Sequence, residues 1–200
     1  MSSKAHTQKV TRPSKSSTIF LVAGLGAAII FGALGWNIWQ NSRLQLSTAP
    51  NVAPVLDIGI QLGKVAPDFS VPTLDGKTFT LSEQRGKPTV VFFMAYWCGS
   101  CVPEGTALGQ IIQEYGDKVS IVAINIDPSA TWDTINQFKQ AAGSGALAWA
   151  WDTDQKVTTA YQVTALDTTL ILDREGRVVY RDEIPTQYET LKAELGKLIQ

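Results

Sequence analysis

A short, continuous apolar run, PTVVFFMA, occupies residues 88–95 and limits the possible folds more than any other part of the chain. It is rich in β-branched and aromatic residues, which is typical of a strand buried on both faces. A second run of this kind, VSIVAINI, occupies residues 119–126, and between the two runs apolar residues recur at helical spacing from Pro103 to Tyr115. A strand, a helix and a second strand form a crossover unit, so we predict two parallel strands inside a sheet.

The other elements are predicted from turn signals and from helical or strand patterns. They are a hairpin at 68–71 and 78–81 around Asp75-Gly76, a helical turn at 82–85, helices at 129–141 (capped by Ser129), 154–161 and 186–198, a brief strand at 146–151, and an antiparallel hairpin at 169–173 and 177–181. Together they predict an α/β fold, a three-layer sandwich with a mixed sheet.

Residues 19–39 (IFLVAGLGAAIIFGALGWNIW) form an apolar segment of 21 residues, long enough as a helix to cross a hydrocarbon core of about 30 Å. Four basic residues precede the segment and Arg43 follows it. The positive-inside bias therefore places the N-terminus in the cytoplasm and the remainder outside. We expect a cytoplasmic basic tail at 1–18, a single-pass transmembrane anchor in the lipid bilayer at 19–39, a linker at 40–61 and a folded domain at 62–200.

A cleaved signal peptide is the alternative reading of this N-terminal segment, with Ala49 or Ala53 near the cleavage site and a secreted product. The apolar core of a signal peptide usually has about 7 to 15 residues, fewer than this segment has. An uncleaved anchor is therefore favoured.

Charge and histidine content exclude several classes of function. Residues 44–200 contain 12 basic and 18 acidic residues, so the body is a poor nucleic-acid binder. The chain has one histidine, His6, in the basic tail. The body therefore lacks the base of a Ser-His-Asp or Cys-His mechanism, and it lacks the commonest zinc and copper ligand.

The chain has two cysteines, Cys98 and Cys101, placed where the first buried strand gives way to the helix. The N-terminus of a helix stabilises a thiolate, so we predict that Cys98, at its exposed end, is the nucleophile. Cys101, one turn further on, would point inward and attack the mixed disulfide that Cys98 forms. The small residues Gly99 and Ser100 leave room for a partner chain.

Other readings of the two cysteines are a structural disulfide, an inert pair in the core, and a metal site. Two thiolates without histidine cannot complete a four-ligand zinc site in one chain, so we expect no metal.

The segments VAPDFSVPTLDGKTFTLSEQRGKPTVVFF, WCGSC and TTLILDREGRVVYR resemble, in this order, the TlpA/ResA-type membrane-anchored thioredoxin-like proteins over residues 62–198. The resemblance implies a thioredoxin fold, an N-terminal anchor and dithiol-disulfide exchange with cysteine-containing extracytoplasmic proteins. It implies a redox-active disulfide, Cys98–Cys101, with no further cofactor, and a membrane-embedded or extracytoplasmic redox partner that recharges it. Some members reduce apocytochrome cysteines before haem attachment.

The resemblance also assigns Glu104, which stands where several members carry a glutamate that assists proton transfer. A carboxylate in a first helical turn also simply complements the helix dipole, and this reading stays open. Phe92 stands where ordinary thioredoxins have a buried aspartate, so Glu104 is the carboxylate nearest to the cysteines by sequence.

Asp167 stands where thioredoxin-like proteins usually have a cis-proline facing the cysteines. A cis bond before a residue other than proline costs about 2.5 to 4 kcal/mol, so we expect a trans loop that places an anion near Cys98 and opposes thiolate formation. That anion would favour a reducing role, whereas Asp167 as a turn residue facing away from the site is the alternative. The predicted substrate-binding residues are Trp97, Gly99, Ser100, Asp167 and Thr168.

We predict a thiol-disulfide oxidoreductase, acting as a reductant on protein cysteines. A thiol peroxidase of the peroxiredoxin type is disfavoured because Ala95 stands where that chemistry usually needs Thr or Ser. A copper carrier is disfavoured because the body has no histidine. Loss of the proline at Asp167 leaves a redox-degenerate binding or adaptor domain as a further alternative.

Overall fold

The computed structural model describes Trp36 and residues 57–143 and 147–199. The chain divides into two units, residues 1–55 and 56–200. The tail and anchor expected at 1–39 lie outside the described residues except for Trp36, which is helical and exposed. Among the described residues, no helix has both the length and the apolar character needed to span a membrane.

The strands of the described part form a two-stranded and a five-stranded sheet. They are β1 (Ser70–Pro72), β2 (Thr78–Thr80), β3 (Thr89–Met94), β4 (Ser120–Asn125), β5 (Ala148–Trp151), β6 (Thr168–Leu172) and β7 (Val178–Glu183). The large sheet has the order β5-β4-β3-β6-β7, with β3 parallel to β4, β4 parallel to β5, and β6 antiparallel to both β3 and β7. The predicted crossover unit, both hairpins and the mixed sheet are thereby confirmed.

The helices are α1 (Cys101–Tyr115), α2 (Trp132–Ala142), α3 (Lys156–Ala160) and α4 (Tyr188–Gly196). The predicted start of α2 at Ser129 is wrong. Thr131 is the N-cap, because Thr131 Oγ1 accepts a hydrogen bond from the Thr134 N–H and Thr134 Oγ1 accepts one from the Thr131 N–H. Ser129 instead donates its N–H and its hydroxyl to the carboxylate of Asp127, in the loop before the helix.

Successive side chains of β3 alternate between two hydrophobic cores, as the two-residue period of a strand requires. Phe92 and Met94 face one core with the apolar sides of α1, α2 and α4, whereas Val91 and Phe93 face the other with the β1–β2 hairpin and Val157 of α3. Each large apolar side chain buried this way contributes about 1.5 to 3 kcal/mol. The sheet is therefore the middle of three layers.

Helix α1, which carries the second cysteine, packs closely against α2 at Gly105. A Cβ added to Gly105 would lie 3.0 Å from the Cβ of Ala142, so only glycine allows this approach without displacing a neighbour. Phe138 and Trp149 surround the same point at 3.7 and 3.8 Å. This contact holds the first turns of α1 against the sheet.

Candidate active site

A tight turn between β3 and α1 brings the two cysteines together. The Cys98 N–H donates to the carbonyl of Ala95 at 2.9 Å, and the Cys101 N–H donates to the carbonyl of Cys98 at 3.2 Å. The two sulfur atoms form a disulfide with an S–S distance of 2.01 Å. The helix begins at Cys101, with Ser100 as its N-cap, so Cys98 lies just before the helix and Cys101 in its first turn.

The structure differs from the sequence prediction in how much of Cys98 is accessible. Cys98 is only 4% exposed and Cys101 is 0% exposed, although Cys98 was expected at an exposed end. The loop before β6 lies against Cys98, a long-range contact that local sequence does not encode. Only a small part of Cys98 is therefore accessible to a substrate cysteine in the disulfide form.

Asn125, at the end of β4, holds the turn in place from the neighbouring strand. Its Oδ1 accepts the Tyr96 N–H at 3.0 Å, and its Nδ2 donates to the carbonyl of Asp127 at 2.9 Å. The Asp127 carboxylate accepts Trp97 Nε1–H at 2.5 Å. Sequence reasoning missed Asn125 and this role of Asp127. The available signal was an amide side chain near the end of a largely apolar strand.

Asp167 lies beside Cys98 because β6 pairs with β3. Thr168 is the register partner of Phe93, so the residue before β6 falls next to the end of β3, where the cysteine turn starts. Asp167 Oδ2 is 3.9 Å from Cys98 Sγ and accepts a hydrogen bond from Ser100 Oγ at 2.8 Å. The structure therefore brings together the three residues Cys98, Ser100 and Asp167.

The backbone at Asp167 lies in the left-handed region, with a φ of 58°. Aspartate is one of the few residues other than glycine that visit this region at modest cost. Consistent with the expected trans loop, no cis peptide bond occurs among the described residues. Asp167 is 4% exposed, and its Oδ1 is buried without a hydrogen-bond partner. Burial raises the pKa of Asp167, opposed by the Ser100 hydrogen bond, and the nearby Asp182 raises it further.

Glu104 lies in the first turns of α1 but points into the protein, where it is 1% exposed. Its Oε1 accepts the hydroxyl of Thr169 at 2.5 Å, and its Oε2 accepts the N–H of Thr186 at 2.9 Å. Burial raises the pKa of Glu104 to about 8, against the lowering effect of these two hydrogen bonds, and the charges of Asp182 and Asp167 add to the increase. A group with this pKa can hold or release a proton near neutral pH.

The residues predicted to bind substrate divide into an exposed and a buried group. Trp97, Gly99 and Ser100 are exposed, and the Trp97 side chain reaches 60%. Asp167 and Thr168 are buried, and Thr168 Oγ1 donates to the carbonyl of Ala165 at 2.7 Å. The exposed residues of the predicted substrate-binding set are therefore those of the cysteine turn, with Trp97 as the largest apolar side chain.

Comparison with known proteins agrees with this geometry. The AhpC/TSA family matches residues 62–181. The chain belongs to the AhpC/TSA family. This family member is 31% identical to the thioredoxin-like protein YneN of Bacillus subtilis over 156 residues, which cover 78% of this chain and 84% of YneN. It is 32% identical to the thiol-disulfide oxidoreductase ResA of Bacillus thuringiensis over 154 residues, covering 76% of this chain and 80% of ResA.

Among solved structures, this AhpC/TSA family member is similar to a putative thiol:disulfide interchange protein DsbE from Chlorobium tepidum. The TM-score is 0.62 at 23% identity, over 71% of this chain and all of the other, and this likeness shows the fold. The fold is thioredoxin-like with a mixed sheet. With the Cys98–Cys101 pair in place, the AhpC/TSA family member is a thiol-disulfide oxidoreductase.

Proposed function

We propose that this enzyme is tethered to a membrane with its thioredoxin-like domain outside the cytoplasm, where it reduces disulfides in cysteine-containing proteins. The observation that carries the proposal is the Cys98–Cys101 disulfide, closed across the start of α1, with Asp167 Oδ2 3.9 Å from Cys98 Sγ. Proteins whose cysteines must be free before a further step, such as apocytochromes c, are the proposed substrates.

The exchange reaction starts from the dithiol form. The Cys98 thiolate attacks one sulfur of the substrate disulfide, forming a mixed disulfide and releasing one substrate thiolate. Cys101, after losing its proton, attacks Cys98 Sγ; the mixed disulfide breaks and the second substrate thiolate leaves. Two electrons pass to the substrate, whose sulfurs take up two protons, and the Cys98–Cys101 bond is restored.

Two carboxyl groups support a reducing direction and a route for the protons. Asp167 places an anionic oxygen beside Cys98, and a neighbouring anion disfavours the thiolate. A dithiol that is less stabilised in its ionised form gives up electrons more readily. Glu104 follows Cys101 by three residues in α1 and has its pKa raised to about 8 by burial, so we assign to it the proton transfer that accompanies the second step.

The membrane tether is proposed from the apolar segment 19–39 and from the basic residues that precede it. In this arrangement a membrane-embedded or extracytoplasmic redox partner returns electrons to the Cys98–Cys101 disulfide after each cycle. Labelling of reduced cells with a membrane-impermeant maleimide tests the topology, because Cys98 and Cys101 are the chain's only cysteines. Mature protein that starts near Asn51 in a soluble fraction would contradict the tether.

Trapping of the mixed disulfide tests the exchange reaction. Full-length Cys101→Ser lacks the resolving thiol and is expected to accumulate thiol-sensitive covalent complexes with partner proteins. The matched control, Cys98→Ser, keeps a cysteine in the same turn and is expected to form none and to lose exchange activity. If Cys101→Ser traps nothing, and Cys98 alkylates no faster than it does in the denatured chain, the proposed reaction is wrong.

A further inference from the structure

Two sulfurs and a carboxylate lie close together at the start of α1. The sulfurs of Cys98 and Cys101 and one carboxylate oxygen of Asp167 all lie within 4.8 Å of one another, and all three residues are buried. In the disulfide form the sulfurs are bonded to each other. Reduction of that bond turns the group into two thiols and a carboxylate in one pocket.

A second, independent feature of Asp167 points to a ligand. The side chain is 4% exposed and its Oδ1 has no hydrogen-bond partner, while Oδ2 is held by Ser100 Oγ at 2.8 Å. A buried carboxylate with an unpartnered oxygen is costly, and a cation bound at Oδ2 lowers that cost by neutralising the charge. The Ser100 hydrogen bond fixes the carboxylate, so its remaining lone pairs are in place before a cation arrives.

The distances suit a tetrahedral ion. With metal–sulfur bonds of about 2.3 Å and metal–oxygen bonds of about 2.1 Å, tetrahedral geometry places a sulfur and an oxygen ligand about 3.6 Å apart. Cys98 Sγ and Asp167 Oδ2 are 3.9 Å apart, so the carboxylate needs little movement. Once the S–S bond is broken, the two sulfurs only need to separate within the same turn.

We propose that the dithiol form binds one thiophilic divalent cation, Zn²⁺ or Cd²⁺, through Cys98, Cys101 and Asp167, with a fourth position open. Two thiolates select such ions over Mg²⁺ or Ca²⁺, and three protein ligands with an open position are typical of reactive rather than structural sites. The expectation of no metal considered a closed four-ligand site and the two cysteines alone. Asp167, distant in sequence, supplies the third ligand.

The binding step balances without a change in the metal. A phosphine or a dithiol partner first adds two electrons to the disulfide, and two protons complete the thiols. The cation then replaces both protons, which pass to solvent, and forms two metal–sulfur bonds and one metal–oxygen bond. Because both sulfurs are then bound to the metal, the metal-loaded form neither attacks a disulfide nor is alkylated until the cation leaves.

Cadmium titration of the full-length protein tests the proposal. The detergent-solubilised chain is reduced with a phosphine, freed of reductant without air, and titrated with Cd²⁺ while the ultraviolet thiolate-to-cadmium charge-transfer band is recorded. We expect one Cd²⁺ per chain in the reduced form and none in the oxidised form. Cys98→Ser and Cys101→Ser are each expected to lose the charge-transfer band of the two-thiolate site.

The decisive variant is Asp167→Asn, which tolerates the same φ and keeps an acceptor for Ser100. Competition with a chelator is expected to show Cd²⁺ affinity reduced about tenfold or more. Asp182→Asn is the matched control. Asp182 also has a carboxylate oxygen without a partner, but it is only half-buried and lies outside the three-ligand group, so the Cd²⁺ affinity of Asp182→Asn should stay near that of the unaltered chain. Asp167→Gly serves as a second variant if the asparagine chain does not fold.

Two results would overturn the proposal: no saturable Cd²⁺ binding by the reduced chain, or equal affinity in the unaltered and Asp167→Asn chains. In either case the exchange reaction is tested separately, because trapping by Cys101→Ser is carried out with a chelator present. A chain that traps partners and binds no cation contradicts the metal site alone. A chain that binds a cation and traps nothing contradicts the exchange reaction alone.

Discussion

Glu104 and Asp167 are both buried carboxyl groups at the start of α1, but the protein satisfies them differently. Both oxygens of Glu104 accept a hydrogen bond, one from Thr169 and one from Thr186. Asp167 has a hydrogen-bond partner on Oδ2 only, and this oxygen lies 3.9 Å from Cys98 Sγ. The protein therefore satisfies both oxygens of Glu104, whereas it leaves Oδ1 of Asp167 without a partner and places Oδ2 beside the reacting sulfur.

The two environments separate the tasks of the two groups. The Thr169 hydroxyl and the Thr186 N–H favour the carboxylate, but they can also serve a neutral carboxyl, which donates to the hydroxyl and accepts from the N–H. Glu104 can therefore change its protonation state without moving. Asp167 Oδ2 accepts from Ser100 and lies 3.9 Å from Cys98 Sγ, so the charge of its ionised form acts directly on Cys98.

The largest effect is expected for Glu104→Gln on stability. In the unfolded chain Glu104 ionises near pH 4.5, while burial raises its pKa to about 8 in the folded chain. Between these values folding retains a proton that the unfolded chain has lost, so the free energy of unfolding falls as the pH rises through this window. Glutamine mimics the neutral form and avoids the loss, so at pH 7 the variant should be more stable by about 3 kcal/mol.

Denaturant unfolding of the oxidised full-length chain at several pH values measures this difference. The gain from Glu104→Gln should disappear below about pH 4.5 and stop growing above about pH 8. Asp182→Asn provides a second check, because the charge of Asp182 raises the pKa of Glu104. In an Asp182→Asn background, Glu104→Gln should therefore give a smaller gain in stability. A gain that does not vary with pH would mean that Glu104 is ionised in the folded protein and would remove the contrast with Asp167.

A smaller effect is expected for Asp167→Asn on the reactivity of Cys98. Loss of the charge should raise the thiolate fraction about tenfold for each pKa unit, but a weaker base is also a weaker nucleophile, so the net gain is about threefold. Alkylation of the reduced chain near pH 8, with a chelator present, measures it. Glu104→Gln should change the rate by less than about twofold. An unchanged rate in Asp167→Asn would mean that its charge does not act on Cys98.

The contrast between local and distant contacts also explains what could be predicted from the sequence. The β3–α1–β4 unit was predicted because a buried strand and an amphipathic helix each show a characteristic spacing of apolar residues along a short stretch of sequence. Asp75-Gly76 fixed the first hairpin in the same way. The burial of Cys98 was not predicted, because the loop that lies against it before β6, which contains Asp167, is about 69 residues away in the chain.

The partners of the two carboxyl groups were missed for the same reason. Thr169 and Thr186 looked like ordinary strand and helix-start residues, and only the pairing of β6 with β3 and the docking of α4 bring them to Glu104. Asp167 was singled out only because it stands where a proline was expected. Its proximity to Cys98 was inferred from that position in the family pattern. Its unpartnered oxygen depends on the folded structure around it and could not be predicted.

The smallest effect is expected for Ser100→Ala, which removes the donor to Asp167. Ser100 makes no capping hydrogen bond in α1, so the substitution tests its contact with the carboxylate and not the helix cap. The loss should lower the free energy of unfolding of the oxidised chain by about 0.5 to 1 kcal/mol, the usual range for a partly exposed hydrogen bond.

In an Asp167→Gly background the same substitution should cost close to nothing, because its partner is already gone. Denaturant unfolding of the four chains measures the coupling. An equal cost in both backgrounds would mean that Ser100 stabilises the turn independently of Asp167.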